Sequence, residues 1–264
     1  MPDLSFKLEL HCHTVYSQDG LIPLDSLARV AQRIGLNAIA ITDHDTMEGA
    51  REFQRWVKAQ GLDLQVIVGE EKTLSDGTHF IGIFLKEPIV SGDLASAIME
   101  IEGQGGLCLA PHPFRRKDGV LRNGMEPLPL LQKHGVAFEI YNAKSSAADN
   151  QKARQLLDSL CPFAGSDAHY ESDLGESLNV IQWQGDLRTT VERMLRKQAP
   201  CRLMGRAQQT AEGERAYAPL YYKMRPFVRM PRPLLPLAKQ CYRWYRNRSR
   251  GVGPKPLVEV YSRS

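Results

Sequence analysis

The 264-residue chain lacks any apolar run approaching the roughly 18 residues of a membrane span. Its first residues, MPDLSFKLEL, also lack the basic start and apolar stretch of a secretory signal. A cytoplasmic location with no transmembrane segment is therefore expected. Cysteine is scarce: Cys12, Cys108, Cys161, Cys201 and Cys241 are odd in number and widely spaced, with no C-x-x-C pair. That excludes a disulfide framework and a zinc ribbon, and leaves reduced, mostly buried small hydrophobes. No internal repeat of solenoid length is visible. With 42% apolar and 24% charged residues, the composition excludes disordered and fibrous classes as well. What remains is a folded chain long enough to bury a substantial core.

Charge is unevenly spread. Residues 201–264 hold fourteen Lys/Arg against three Asp/Glu, whereas residues 1–200 hold twenty against twenty-seven, so a net charge of +4 conceals an acidic body and a basic tail. Residues 1–205 are expected to form one catalytic domain and residues 206–264 a basic extension rich in Pro, Arg and aromatics. Within it, PLAKQCYRWYRNRSR alternates basic and aromatic residues. Across residues 220–255 such a pattern suits RNA or DNA, through stacking and phosphate contacts, or an anionic membrane surface. It equally suits packing on the domain with the arginines solvated.

In the body, short apolar or β-branched runs predict strands at 6–11, 38–42, 64–69, 79–85, 106–110, 136–141, 162–165 and 178–183. Helical patterns lie between most of them, at 23–35, 46–61, 91–106, 145–160 and 186–198, several closed by glycine. Strands alternating with helices predict a mostly parallel sheet or barrel. One hairpin interrupts the alternation, at Ser75-Asp76-Gly77.

Metal-capable side chains gather at the ends of these strands. A side-chain period of two sends His11 and His13 of LELHCH to one face. The second strand then delivers Asp43, His44 and Asp45, and the third Glu70 and Glu71. Later strands deliver His112, Glu139, and Asp167 with His169. In a parallel α/β barrel the loops after the strands share one face, so these groups converge. His79, after the hairpin turn, and His134, before a glycine, read instead as structural or exposed.

The ordered motifs ELHCHTVYSQDG, AITDHDT, GEEKT, APHPF, EIYN and GSDAH resemble the PHP (polymerase and histidinol phosphatase) family over residues 6 to about 205. The resemblance implies an α/β fold, a distorted (β/α)7 barrel of the PHP type, holding two or three divalent ions. It implies a first ion on His11, His13, a glutamate and Asp167. A second would share that glutamate with His112 and Glu139, and a third would take Asp19, His44 and His169. The family pattern places Glu71, rather than Glu70, at the shared position. Two departures stand out: Lys72 occupies a usually apolar place, and Gln18 lengthens the loop before Asp19.

Closely spaced divalent ions lower the pKa of water and clamp the attacking and leaving oxygens of a phosphoryl group. Mixed imidazole and carboxylate donors suit Zn, Mn or Fe, with Mg less suited. Asp43 is a candidate to orient a ligand imidazole. Arg115, Arg116 and Lys144 are candidate contacts to a substrate phosphate. The expected function is metal-dependent hydrolysis of a phosphoester in a small phosphorylated metabolite or nucleotide. An exonuclease or oligoribonuclease of the same chemistry, guided by the basic tail, and a non-catalytic metal-binding or structural module are the alternatives.

Overall fold

The computed structural model describes residues 4–206 and 257–263. The chain begins with β1 (Phe6–Glu9), α1 (Leu24–Arg33), β2 (Ala38–Ile41), α2 (Glu48–Ala59) and β3 (Gln65–Thr73). β4 (His79–Ile83), α3 (Leu94–Gly103), β5 (Leu107–Ala110), α4 (Leu128–Lys133), β6 (Ala137–Asn142), α5 (Ala147–Leu157) and β7 (Pro162–Gly165) follow. β8 (Ser177–Ile181), α6 (Leu187–Leu195), β9 (Cys201–Arg206) and β10 (Leu257–Arg263) complete it.

The ten strands of the described residues form one sheet in the order β10-β9-β8-β1-β2-β3-β4-β5-β6-β7. β1, β2 and β3 are mutually parallel, as are β5, β6 and β7. β4 lies antiparallel between β3 and β5, so the two parallel sets point the same way. The hairpin therefore breaks the regular strand–helix alternation of the expected barrel. Its turn is closed by Gly77, whose φ of 81° suits glycine, and by a Gly77 N–H bond of 2.9 Å to the Leu74 carbonyl. The sheet curls until β7 meets β8 and β9.

Central strands such as AIAI of β2 are buried on both faces, the signature of parallel strands covered by helices. Phe80, Phe138 and Phe163 lie wholly inside one hydrophobic cluster, while Phe53 of α2 anchors a second with α1 and β2. Helix starts follow side-chain chemistry: Asp93, Ser146 and Asp186 cap α3, α5 and α6 by accepting backbone N–H groups. Thr46 accepts from Glu48 N at 3.2 Å at the start of α2.

The expected extension needs correction at its far end. Residues 257–263 pair antiparallel with β9, Leu257 opposite Arg206, and so belong to the sheet. The stretch 207–256, which includes the whole basic and aromatic 220–255 segment, lies outside the described residues. Among the described residues no helix is long and apolar enough to cross a membrane.

Candidate metal centre

The strand ends converge as the topology requires. β1 runs on into His11 and His13, and the Cys12 carbonyl accepts from Thr42 N at 2.9 Å. Past β2, His44 and Glu71 form a bridge pair, with Glu71 N bonded to the Asp43 carbonyl and Asp45 N to the Glu71 carbonyl. β5 and β7 deliver His112 and Asp167 on left-handed backbone, with φ of 29° and 50°. Such strained non-glycine residues persist where their surroundings hold them. The His112 N–H is gripped at 2.6 Å by a Glu139 carboxylate oxygen.

Glu71 is the hub. Its Oε2 lies 3.1 Å from both His11 Nε2 and His13 Nε2, while Oε1 lies 3.1 Å from both His79 Nδ1 and His112 Nε2. On the first side, Asp167 Oδ1 completes a group at 3.5 Å from His11 and 3.4 Å from His13, with the two imidazole nitrogens 3.2 Å apart. Donors about 2.0–2.1 Å from a tetrahedral ion stand roughly 3.3–3.4 Å from one another, so this buried quartet has the spacing an ion needs. A further group joins His13, Asp19, His44 and His169. Asp19 Oδ2 lies 3.3 Å from His169 Nε2 and 3.7 Å from His44 Nε2. The additional Gln18 is exposed and does not prevent this approach. Gly20 closes the loop where a Cβ would stand 1.9 Å from the Thr14 carbonyl oxygen. Buried His44 Nδ1 has no hydrogen-bond partner among the described residues and faces Glu71 Oε2 at 3.5 Å, as a donor awaiting a cation would.

His79 is the residue that sequence reasoning missed. Because β4 runs against its neighbours, its first residue, not its last, stands at the site. His79 is 8% exposed and grouped with His44 and Glu71, and also with His112 and Asp118. The available signal was its place opposite Thr73 in the hairpin register, two residues beyond Glu71.

Glu139 sits behind His11 instead of beside Glu71. Its Oε1 takes His11 Nδ1 at 3.1 Å and its Oε2 accepts from His112 N and from Asn142 Nδ2 at 2.8 Å. Both oxygens are thus spent on orienting other groups, leaving His11 Nε2 facing inward. Asp43 likewise holds Thr14, accepting from its N–H at 2.6 Å and its hydroxyl at 2.7 Å, and touches no imidazole by hydrogen bond. Glu70 points away and accepts from Ile89 N at 3.0 Å. Lys72 reaches outward to Asp45 at 3.2 Å, which accounts for its tolerance in an apolar place.

Of the proposed phosphate contacts, Arg115 alone reaches the centre. Its guanidinium lies 2.7 Å from Asp167 Oδ2, 2.8 Å from His112 Nε2 and 2.6 Å from the buried Asp118. Arg116 is exposed. Lys144 is tied to buried Asp173 at 2.6 Å, and Asp173 accepts from His169 N, so this lysine braces the His169 loop. His134 pairs with Glu102 at the surface.

Burial pushes the Glu71 and Asp167 carboxyls up, but His11 and other imidazoles, joined at Asp167 by the Arg115 guanidinium, outweigh it and hold both well below the usual carboxylate range. Burial lowers His13, yet Asp167 and Glu71 raise it to about 9. Burial wins at His44, which falls to about 4 despite Glu71. In the metal-free protein His13 therefore carries a proton below about pH 9 that an incoming ion must displace, whereas His44 carries none near neutrality. Uptake at the His11–His13–Asp167 group should release about one to two protons and tighten about tenfold per pH unit per proton between pH 7 and 9. His44, lowered to about 4, should contribute no released proton to uptake near neutrality. Calorimetry in buffers of different ionisation enthalpy checks both.

Fold and site together define an α/β protein with a His/Asp/Glu cluster, able to bind metal ions, at the C-terminal ends of its parallel strands. The model of the PHP domain matches residues 9–198, and the chain belongs to that family. An uncharacterised protein of Methanocaldococcus jannaschii is 32% identical over 180 residues, covering 65% of this chain and 68% of that protein. DNA polymerase III subunit alpha of Saccharopolyspora erythraea is 35% identical over 100 residues, 38% of this chain but 8% of the subunit. A two-domain Bacteroides vulgatus protein containing a predicted PHP-like metal-dependent phosphoesterase superposes with a TM-score of 0.60 at 22% identity, over 75% of this chain and 64% of that one. A lesion-specific endonuclease of Pyrococcus furiosus gives 0.54 at 15% identity, over 73% and 56%. At these identities the structures show a shared fold.

Proposed function

We propose that the protein hydrolyses a phosphoester of a small phosphorylated metabolite or nucleotide, using two or three divalent ions, Zn, Mn or Fe, in the Glu71 cluster. The observation that carries this is the division of Glu71, one carboxylate oxygen facing two imidazoles on each side. His11, His13, Glu71 and Asp167 would hold a first ion, Glu71, His79 and His112 a second, and Asp19, His44 and His169 a third. Bound there, such ions supply activated water and neutralise phosphoryl charge. Glu139 keeps His11 Nε2 turned inward, and the His169 Nδ1 contact to the Asp167 carbonyl at 2.8 Å does the same for His169 Nε2. Arg115, steadied by Asp118, offers a planar guanidinium to a phosphate at the mouth of the centre.

An exonuclease is the second reading, favoured by where the basic stretch is tethered. Arg206 and Leu257 are register partners, and the Tyr141 hydroxyl at the end of β6 accepts from Arg206 N at 2.9 Å, so both tethers stand at the site's end of the sheet. Residues 207–256 carry eleven Lys/Arg and two Asp/Glu. A panel of phosphomonoesters, bis-phosphorylated nucleotides and short RNAs, with Mn and Zn, tests both readings. Wild type should hydrolyse at least one class and His11→Ala none. A chain with 207–256 replaced by a short linker should lose RNA turnover selectively if the second reading holds. Metal-loaded wild type inert on the whole panel, or equalled by His11→Ala, would refute the enzyme.

A further inference from the structure

The sheet ladder stops at β7: among the described residues no strand pairing joins β7 to β1 or β8, and only the isolated bridge Cys12–Ala168 links β1 and β7 beyond their ends. Yet the first metal group takes His11 and His13 from the end of β1 and Asp167 from the end of β7, so its geometry depends on an unzipped seam. We propose that Glu9 and Asn179, two buried side chains that span this seam, are positioning residues for the first ion. The proposal rests on the reading that His11, His13, Glu71 and Asp167 share that ion.

Asn179 of β8 is fully buried and stands in for the missing ladder. Its Nδ2 donates to the Leu8 carbonyl at 3.2 Å and the Ala164 carbonyl at 2.8 Å, while its Oδ1 accepts from Ala164 N at 2.9 Å. It thereby ties β1 and β7 together through one amide. Glu9 does the same nearer His11 and Asp167. A single oxygen, Oε1, accepts from Leu10 N and His11 N at 3.0 Å and from Ser166 N at 3.1 Å. That oxygen grips the backbone of one ligand, His11, and of the residue before another, Asp167.

The other Glu9 oxygen, Oε2, is buried and makes none of these backbone bonds. Burying a carboxylate in this way is costly, and an apolar side chain would pack instead. An apolar side chain would, however, leave the N–H groups of both strand ends unpaired. Gly165 tightens the same seam, since a Cβ there would stand 2.7 Å from His11 Cβ and 2.0 Å from Glu139 Oε1. Beyond it, His13 N donates to the Ala168 carbonyl at 2.9 Å. Glu71, His79 and His112, drawn from β3, β4 and the end of β5, do not cross the seam, so disturbing Glu9 or Asn179 should weaken binding of the first ion and spare the second.

Titration with Co(II), followed by visible absorbance and by the rise in thermal midpoint on loading, separates the cases. Glu9→Ala and Asn179→Ala should weaken one equivalent roughly 10- to 100-fold and alter its absorbance band, with a second equivalent unchanged. Glu9→Gln, which keeps the accepting oxygen, should stay within about threefold of wild type. Folded alanine variants with wild-type affinity and spectrum would overturn the proposal. So would equal weakening of every equivalent, or a Glu9→Gln as damaged as the alanine. If an alanine variant does not fold, Glu9→Gln and the other alanine variant still decide. Wild type binding no Co(II) would instead defeat the underlying metal assignment.

Discussion

Glu71→Gln should strip the protein of at least two ions and reduce phosphoester hydrolysis by about 10³-fold or more, roughly 4 kcal/mol of transition-state stabilisation. An amide keeps the shape but has one acceptor oxygen, whereas Glu71 uses both of its oxygens within 3.1 Å of imidazole nitrogens. Whichever way the amide turns, its NH₂ faces a pair of imidazole nitrogens meant for metal. The metal-free variant should also lose about 3 kcal/mol of stability, because His11, held well above its ordinary value, would keep a buried charge with less compensation. Elemental analysis after dialysis, steady-state rates and urea unfolding read these three effects. Glu70→Gln is the matched control: its carboxyl contacts Ile89 N, so metal content and rate should stay at wild-type level.

His79→Ala should remove one ion and slow turnover by about 10²-fold, while Glu139→Gln should keep the full complement at roughly 10- to 100-fold weaker affinity. The difference follows from direction. His79 Nδ1 points at Glu71 Oε1, whereas the Glu139 oxygens point at His11 Nδ1 and at the His112 and Asn142 nitrogens. Metal equivalents per chain, measured side by side, distinguish a ligand from a group that orients one. Loss of an ion from Glu139→Gln and none from His79→Ala would restore Glu139 as the second ion's ligand.

Much of this centre was legible because strand ends in a parallel sheet share one face, which gathers His11, His13, His44, His112, Asp167 and His169, while the PHP resemblance selected Glu71 over Glu70. His79 was not, because its place depends on the direction of β4 within the sheet, which no local pattern of HFIGI reveals. Glu139 was placed among the ligands by the PHP resemblance, and it stands within β6 (Ala137–Asn142). Which way a carboxylate turns there depends on distant partners, here His11 and the His112 backbone. Pairing of β10 with β9 joins Leu257 to Arg206 across fifty intervening residues, so LVEVYSR carries no sign of its partner. α4 escaped notice because Pro129 argues against a helix, although proline fits its first turn. Gln18 illustrates the reverse: a change in motif spacing that the exposed loop absorbs, leaving Asp19 in reach of His169.

The most direct measurement is anomalous diffraction at the Mn and Zn edges from crystals of the loaded protein. Peaks are expected between His11, His13, Glu71 and Asp167 and between Glu71, His79 and His112, and a third beside Asp19, His44 and His169. Anomalous density confined to surface carboxylates, or a single ion that leaves one Glu71 oxygen unligated, would contradict a centre organised around Glu71.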